Sequence, residues 1–105
     1  MDDDDLPDLD AITSGSITVD GSTLVLAGDV DFALVNAWER SAQAVGDVER
    51  IDAERVTFMG SAGITLVIKI ARAAEPRTVE LVHPSRPALR PLQAMGVDKL
   101  LRVTP

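Results

Sequence analysis

The sequence predicts a single α/β domain: a mixed, mostly parallel sheet of four or five strands, opened by an N-terminal β-hairpin, with helices packed against it. Three observations carry this. Strand-like and helix-like patterns alternate along the chain in the order β-β-α-β-α-β-α-β, and alternation of that kind builds a layer of parallel strands joined by helical crossovers. Asp20-Gly21 stands between two short β-rich runs, which marks one antiparallel hairpin. The chain has 105 residues, 46% apolar and 26% charged, which is the length of one domain and the composition of an ordinary globular one.

Each element has its own signature. Ile17–Val19 and Thr23–Ala27 are the hairpin strands. In "DFALVNAWERSAQAV" the apolar residues Leu34, Trp38, Ala42 and Val45 recur at helical spacing, while Asn36, Glu39, Arg40 and Gln43 lie elsewhere. Asp31 stands at the N-cap position of that helix and Gly46 where a C-cap glycine belongs. "VERIDAERV" reads as a short third strand. "SAGITLVIKIARAA" reads as a second helix that stops before Pro76, and "TVELV" as the fourth strand. "PSRPALRPLQAMG" gives a third helix with Ser85 as its cap and Gly96 as its stop, and a last strand falls near Leu101–Val103.

Composition narrows the chemistry. The chain has no cysteine and one histidine, His83, so disulfides, thiolate sites and multi-histidine metal sites are excluded. No cofactor is expected. The formal charge is −7, but six of the 17 acidic residues lie between Asp2 and Asp10, and the rest is close to neutral. Residues 1–14 therefore read as a disordered acidic tail ahead of a domain spanning 15–105. The basic residues are scattered and aromatics are only 3% of the chain, which argues against nucleic acid. No apolar run approaches the roughly 18 residues of a membrane span, so no direct membrane contact is expected. The acidic N-terminus does not read as a signal peptide, and a cytoplasmic protein is the expectation.

The stretch "TFMGSAGITLV", Thr57 to Val67, holds the candidate site. In the helix that follows Gly60, Ser61, Thr65, Lys69 and Arg72 form one polar stripe on an otherwise apolar cylinder. Ser61 has two compatible readings. It can be the helix N-cap, its hydroxyl accepting a bond from a free backbone N–H. It can also be an exposed hydroxyl where the helix dipole favours added negative charge, so that a phosphate is accommodated. A nucleophilic role is not supported. "GSAG" is not Gly-x-Ser-x-Gly, no Gly-Lys-Ser/Thr follows, and the lone His83 lies in a strand-to-helix turn before Pro84. No catalytic residue is assigned, and the chain reads as a non-enzyme.

These residues resemble a known family. "VTFMGSAGITLVI" is similar to the signature of STAS domains, the fold of bacterial anti-sigma factor antagonists, with Val56, Phe58, Met59, Ser61, Gly63 and Ile64 matching. "LAGDVDFALVNAWE" resembles a second family stretch through Leu26, Gly28, Asp29, Val30 and Asp31, and "LRPLQAMGVDKLLRV" resembles the closing helix and strand. The resemblance covers roughly residues 16–104. It implies that Ser61 is the regulatory serine, with Asp29, Asp31, Gly60, Ala62, Gly63, Thr65 and Lys69 around it at the partner surface. Gly60 departs from the pattern, which usually places an acid there.

The resemblance further implies partner switching. The unmodified protein binds an anti-sigma factor that is also an ATP-dependent serine kinase, and a sigma factor is released. Phosphorylation of Ser61 reverses this, and a phosphatase acting on phosphorylated Ser61 restores it. STAS domains are also accessory subunits of lipid-transport ABC systems, where the connection is similar to "SAG" here. A third alternative is a small ligand-binding module that uses its β-to-α loops. The acidic tail yields a test of its own. Deleting residues 1–10 is expected to move the thermal midpoint little, because so few apolar groups cannot offset the entropy of ordering. If the tail steers association, deletion lowers the on-rate at low salt and not at 1 M salt, where the Debye length is about 3 Å.

Overall fold

The computed structural model describes residues 15–41 and 45–105. The expected acidic tail lies outside the described residues. The elements are β1 (Ser16–Asp20), β2 (Thr23–Val30), α1 (Phe32–Arg40), β3 (Arg50–Met59), α2 (Ser61–Ala74), β4 (Glu80–Val82), α3 (Arg86–Ala94), a 3-10 turn (Val97–Leu100) and β5 (Arg102–Thr104). The strands form one five-stranded sheet in sequence order. β1 and β2 are antiparallel. The pairs β2–β3, β3–β4 and β4–β5 are parallel. The predicted class and element order are those observed.

The order has a geometric consequence. Every crossover steps the same way across the sheet, and such crossovers are right-handed. All three helices therefore lie on one face. Burial agrees. Leu24, Ile51 and Leu81 form one row across β2, β3 and β4, and all three are fully buried. Above that row, α2 contributes Leu66, Val67 and Ile70, which are also buried. The row on the other face, Thr23–Arg50–Glu80–Arg102, is half-buried to exposed and laced by Arg50–Glu80 at 3.6 Å.

Two strands run further than their patterns suggested. β2 continues to Val30 and β3 continues past Val56 to Met59. Opposite β2, the register of β3 slips by one residue between Val25 and Ala27 and again between Gly28 and Asp29. Each slip is a bulge that adds one residue to β3. Its buried positions accordingly change from Ile51 and Ala53, two apart, to Val56 and Met59, three apart. The alternation that identifies a strand is broken by its own bulges. On β2 the distortion falls at Gly28, whose φ of 71° is cheap only for glycine.

The helix ends follow local chemistry. Asp31 caps α1, its Oδ1 accepting from Leu34 N at 3.0 Å. α1 is shorter than the apolar spacing indicated, and its C-cap is Ser41 rather than Gly46. There Ser41 N donates to the Trp38 carbonyl at 3.0 Å, and the Ser41 hydroxyl donates to the same oxygen, a local bond that competes with the next turn. Val45, expected inside the helix, lies beyond it and packs on the core. α2 ends at Ala74, before Pro76, as expected. Ser85 caps α3, accepting from Ala88 N at 3.3 Å while donating to the Val56 carbonyl at 2.6 Å, so one hydroxyl ties the helix to β3.

Gly63 fixes the seat of α2. A Cβ at this position would lie 2.6 Å from Met59 Sδ, 2.9 Å from Val30 Cγ1 and 3.1 Å from the Val30 carbonyl oxygen. Gly63→Ala is expected to cost about 1–3 kcal/mol through overpacking. Each kcal/mol corresponds to roughly 4–8 °C in a domain of this size. Gly46, with nothing within 4 Å of its added Cβ, is the control. Gly46→Ala should leave a thermal melt within about 0.5 kcal/mol of the parent.

Candidate functional site: the Ser61 groove

The site is built where β2 and β3, adjacent parallel strands, deliver their chains into α1 and α2. This is the carboxyl end of the sheet, where open α/β layers expose their loops. The two connections are joined by one backbone bond, Gly60 N to the Val30 carbonyl, at 3.0 Å. Gly60 then becomes the N-cap of α2, its carbonyl accepting from Ile64 N at 3.1 Å.

Ser61 is therefore not the N-cap. It is the first residue inside the helix, and α2 has no side-chain cap at all. Gly60 keeps the extended backbone of a cap, tied to the Val30 carbonyl, and the helical turn starts at Ser61. The Ser61 side chain is exposed and has no hydrogen-bond partner among the described residues. Of the two readings of this serine, the capping one is ruled out by the geometry.

A groove of about 320 Å³ runs between α1 and α2 beside it. From α2 it is lined by Ser61, Ala62, Thr65 and Lys69, four of the residues assigned to the partner surface from the sequence. From α1 it is lined by Phe32, Val35, Asn36 and Glu39. Lys69 Nζ bonds Glu39 Oε2 at 2.8 Å across the groove and closes its far end. Both groups are exposed, so this pair adds at most about 1 kcal/mol.

The other expected residues have different surroundings. Asp29 is half-buried on β2, opposite Phe58, and its Oδ1 accepts from the Thr57 hydroxyl at 2.7 Å. Asp31 is engaged in capping α1. Gly63 is buried beneath the loop and contributes by its close approach to Val30. Asp29, Asp31 and Gly60 thus border the groove without lining it.

Two exposed aromatic rings were not singled out from the sequence. Phe32 is 72% exposed at the start of α1, and Phe58 is 51% exposed at the end of β3. The Phe58 ring lies over Gly60, 3.2 Å from where a Cβ on that glycine would be. Phe32 was passed over because it falls outside the Leu34, Trp38, Ala42, Val45 spacing that marks the apolar side of α1. Phe58 was masked because the bulge at Thr57 turns it outward, and nothing in strand alternation announces a bulge. The available signal was positional: two of the chain's three aromatics adjoin the two loop motifs.

His83 sits in the β4–α3 turn with φ 47°, its backbone N–H donating to Thr104 on β5, away from the β2–β3 loops. Among the described residues there is no group of three His, Cys, Asp or Glu side chains that could hold a metal ion. Among the described residues no helix is long and apolar enough to cross a membrane.

Comparison with known proteins agrees with this geometry. A family model described as "Mlab, STAS domain" matches residues 14–102, and the chain belongs to the STAS domain family. Among curated proteins no sequence matches. Seven chains of solved structures match. One is the 1.59 Å crystal structure of a candidate anti-sigma factor antagonist from Thermotoga maritima. It is 11% identical, with a TM-score of 0.62 over 85% of this chain and 84% of that one.

Gly60 has φ −83° and ψ 179°, extended backbone that any residue adopts, so its glycine is not required by strain. Gly60→Asp would place a carboxylate at the empty N-cap of α2. Capping and the helix dipole together should raise stability by about 0.3–1 kcal/mol, read from a denaturant melt. A loss instead would mean that the displaced Phe58 ring cannot move aside.

Proposed function

We propose that this protein is an anti-sigma factor antagonist whose partner surface is the Ser61 groove, and that it acts by binding rather than by catalysis. The observation that carries this is the exposed Ser61 hydroxyl at the first residue of α2, free of any capping bond and on the rim of a groove that the exposed Phe32 also lines. A hydroxyl engaged in capping would have to be released before modification. This one is already accessible.

Partner switching follows from charge. The partner is an anti-sigma factor of the ATP-dependent serine kinase type, which places the exchange in the cytoplasm. With Ser61 unmodified, the apolar rim can be desolvated against the partner. Phosphorylation brings about −1.5 to −2 charges to a surface that already carries Asp29, Asp31 and Glu39. Each 1.4 kcal/mol of penalty is tenfold in affinity, so electrostatics alone can separate the complex without a change of fold. A phosphatase acting on phosphorylated Ser61 resets the cycle.

The family description favours one second reading, an accessory STAS subunit of a lipid-transport ABC system. The groove would then bind an ATPase subunit, and Ser61 would be a contact rather than a switch. Incubation with the cognate kinase and ATP separates the two. Phosphate is expected on Ser61, and Ser61→Ala should abolish it with an unchanged thermal melt. Phosphate confined to Thr57 or Thr65, both also exposed, would remove the Ser61 assignment. No phosphate anywhere, with an ATPase subunit retained on the purified chain, would favour the second reading.

A further inference from the structure

We infer that the β1 edge of the sheet is a self-association surface, through which two copies of this chain pair their β1 strands antiparallel about Thr18. The inference is independent of the Ser61 groove.

The argument begins with backbone groups. A two-residue loop, Gly21-Ser22, closes the β1–β2 hairpin, with Asp20 opposite Thr23. In such a hairpin the pair flanking the loop exchanges both hydrogen bonds, and bonded pairs then alternate along the ladder. Asp20, Thr18 and Ser16 therefore bond to β2. The N–H and C=O groups of Ile17 and Val19 point outward, and among the described residues no strand lies beyond them.

Among the described residues nothing protects this edge. Natural edge strands are blunted by lysine, proline, bulges or shortness. β1 has five residues, none of them Lys or Pro, and a continuous register with β2. The opposite edge, β5, has three residues, begins with Arg102 and is followed by Pro105. Beside β1 lies an open groove of about 570 Å³, with Ile17, Val19, Leu34 and Trp38 among its lining residues. Val19 is 50% exposed there.

The strand is complementary to itself. Antiparallel pairing about Thr18 sets Ile17 opposite the second copy's Val19, so each outward pair of backbone groups meets its match. It also extends the apolar row on the helix face. Asp20, the only charge on β1, falls opposite a Ser16 hydroxyl, whereas parallel in-register pairing would place the two Asp20 carboxylates side by side. A five-residue strand contact belongs to the small, transient class of interfaces, so the dimer is concentration-dependent.

The chain has no cysteine, which makes the register directly readable. In the proposed pairing Thr18 faces its own copy as a non-hydrogen-bonded pair with Cα atoms about 4.5 Å apart, within disulfide reach. The two Asp20 positions lie roughly 13 Å apart at 3.3 Å per residue, outside that reach. Mild oxidation of the full-length Thr18→Cys variant should give a covalent dimer on a non-reducing gel, and Asp20→Cys should give at least tenfold less. Adding Val19→Pro to Thr18→Cys blocks an outward N–H without touching a β1–β2 bond and should abolish the crosslink, with circular dichroism confirming the fold. Val19→Lys is a second blocking variant should the proline disturb the hairpin. Equal crosslinking at both positions, or none at either, overturns the inference. So does a crosslink that forms only after residues 1–14 are removed, because those residues would then occupy the edge in the intact protein.

Discussion

The close approach of α2 to the end of β2 is the constraint on which the rest of the molecule depends. Gly63 has no side chain, so the first turn of α2 rests directly on Val30 and Met59. That contact sets the height of the helix over the sheet, and with it the positions of Leu66, Val67 and Ile70 in the core. It also brings Gly60 N within 3.0 Å of the Val30 carbonyl, which holds the two site loops as one rigid corner. The candidate site and the hydrophobic core thus share a single foundation. A side chain at Gly63 would lift the helix, part the loops and loosen the core together.

Much of the fold was legible because its signals are local. Asp31 and Ser85 are capping residues by chemistry and act as caps in the structure. Alternating elements imply parallel strands, and the sheet is built that way. Where reading failed, the cause was register. The two slips between β2 and β3 move the buried positions of β3 out of a period of two, so the strand seems to stop at Val56 when it runs to Met59. That offset turns Phe58 to the solvent, and the chain stays extended through Gly60, which caps α2 in place of Ser61. The end of α1 was misjudged for a related reason. Apolar spacing continues to Val45, but the Ser41 hydroxyl takes the Trp38 carbonyl first.

The site combines features that usually oppose each other. A helix N-terminus with no carboxylate in its cap keeps its positive end unneutralised, while Asp29 and Asp31 stand on the neighbouring connection. Asp29 is partly occupied by Thr57 and Asp31 by its capping bond. Their charge is directed into the loops rather than offered whole to the surface. The groove therefore presents Phe32, Ala62 and the hydroxyls of Ser61 and Thr65, with the Lys69–Glu39 pair closing one end.

The uncovered face of the sheet has a consequence for sequence divergence. With the three described helices on one side, the described residues form one interior layer, and its packing is dictated by rows such as Leu24–Ile51–Leu81. The row behind it, Thr23–Arg50–Glu80–Arg102, meets water and is held only to strand-forming residues. Half of each strand is thus free to drift while the other half preserves the architecture. A solved structure of the same fold can follow this backbone path at a TM-score of 0.62 with 11% of residues identical, because a two-layer fold specifies its shape from one side only.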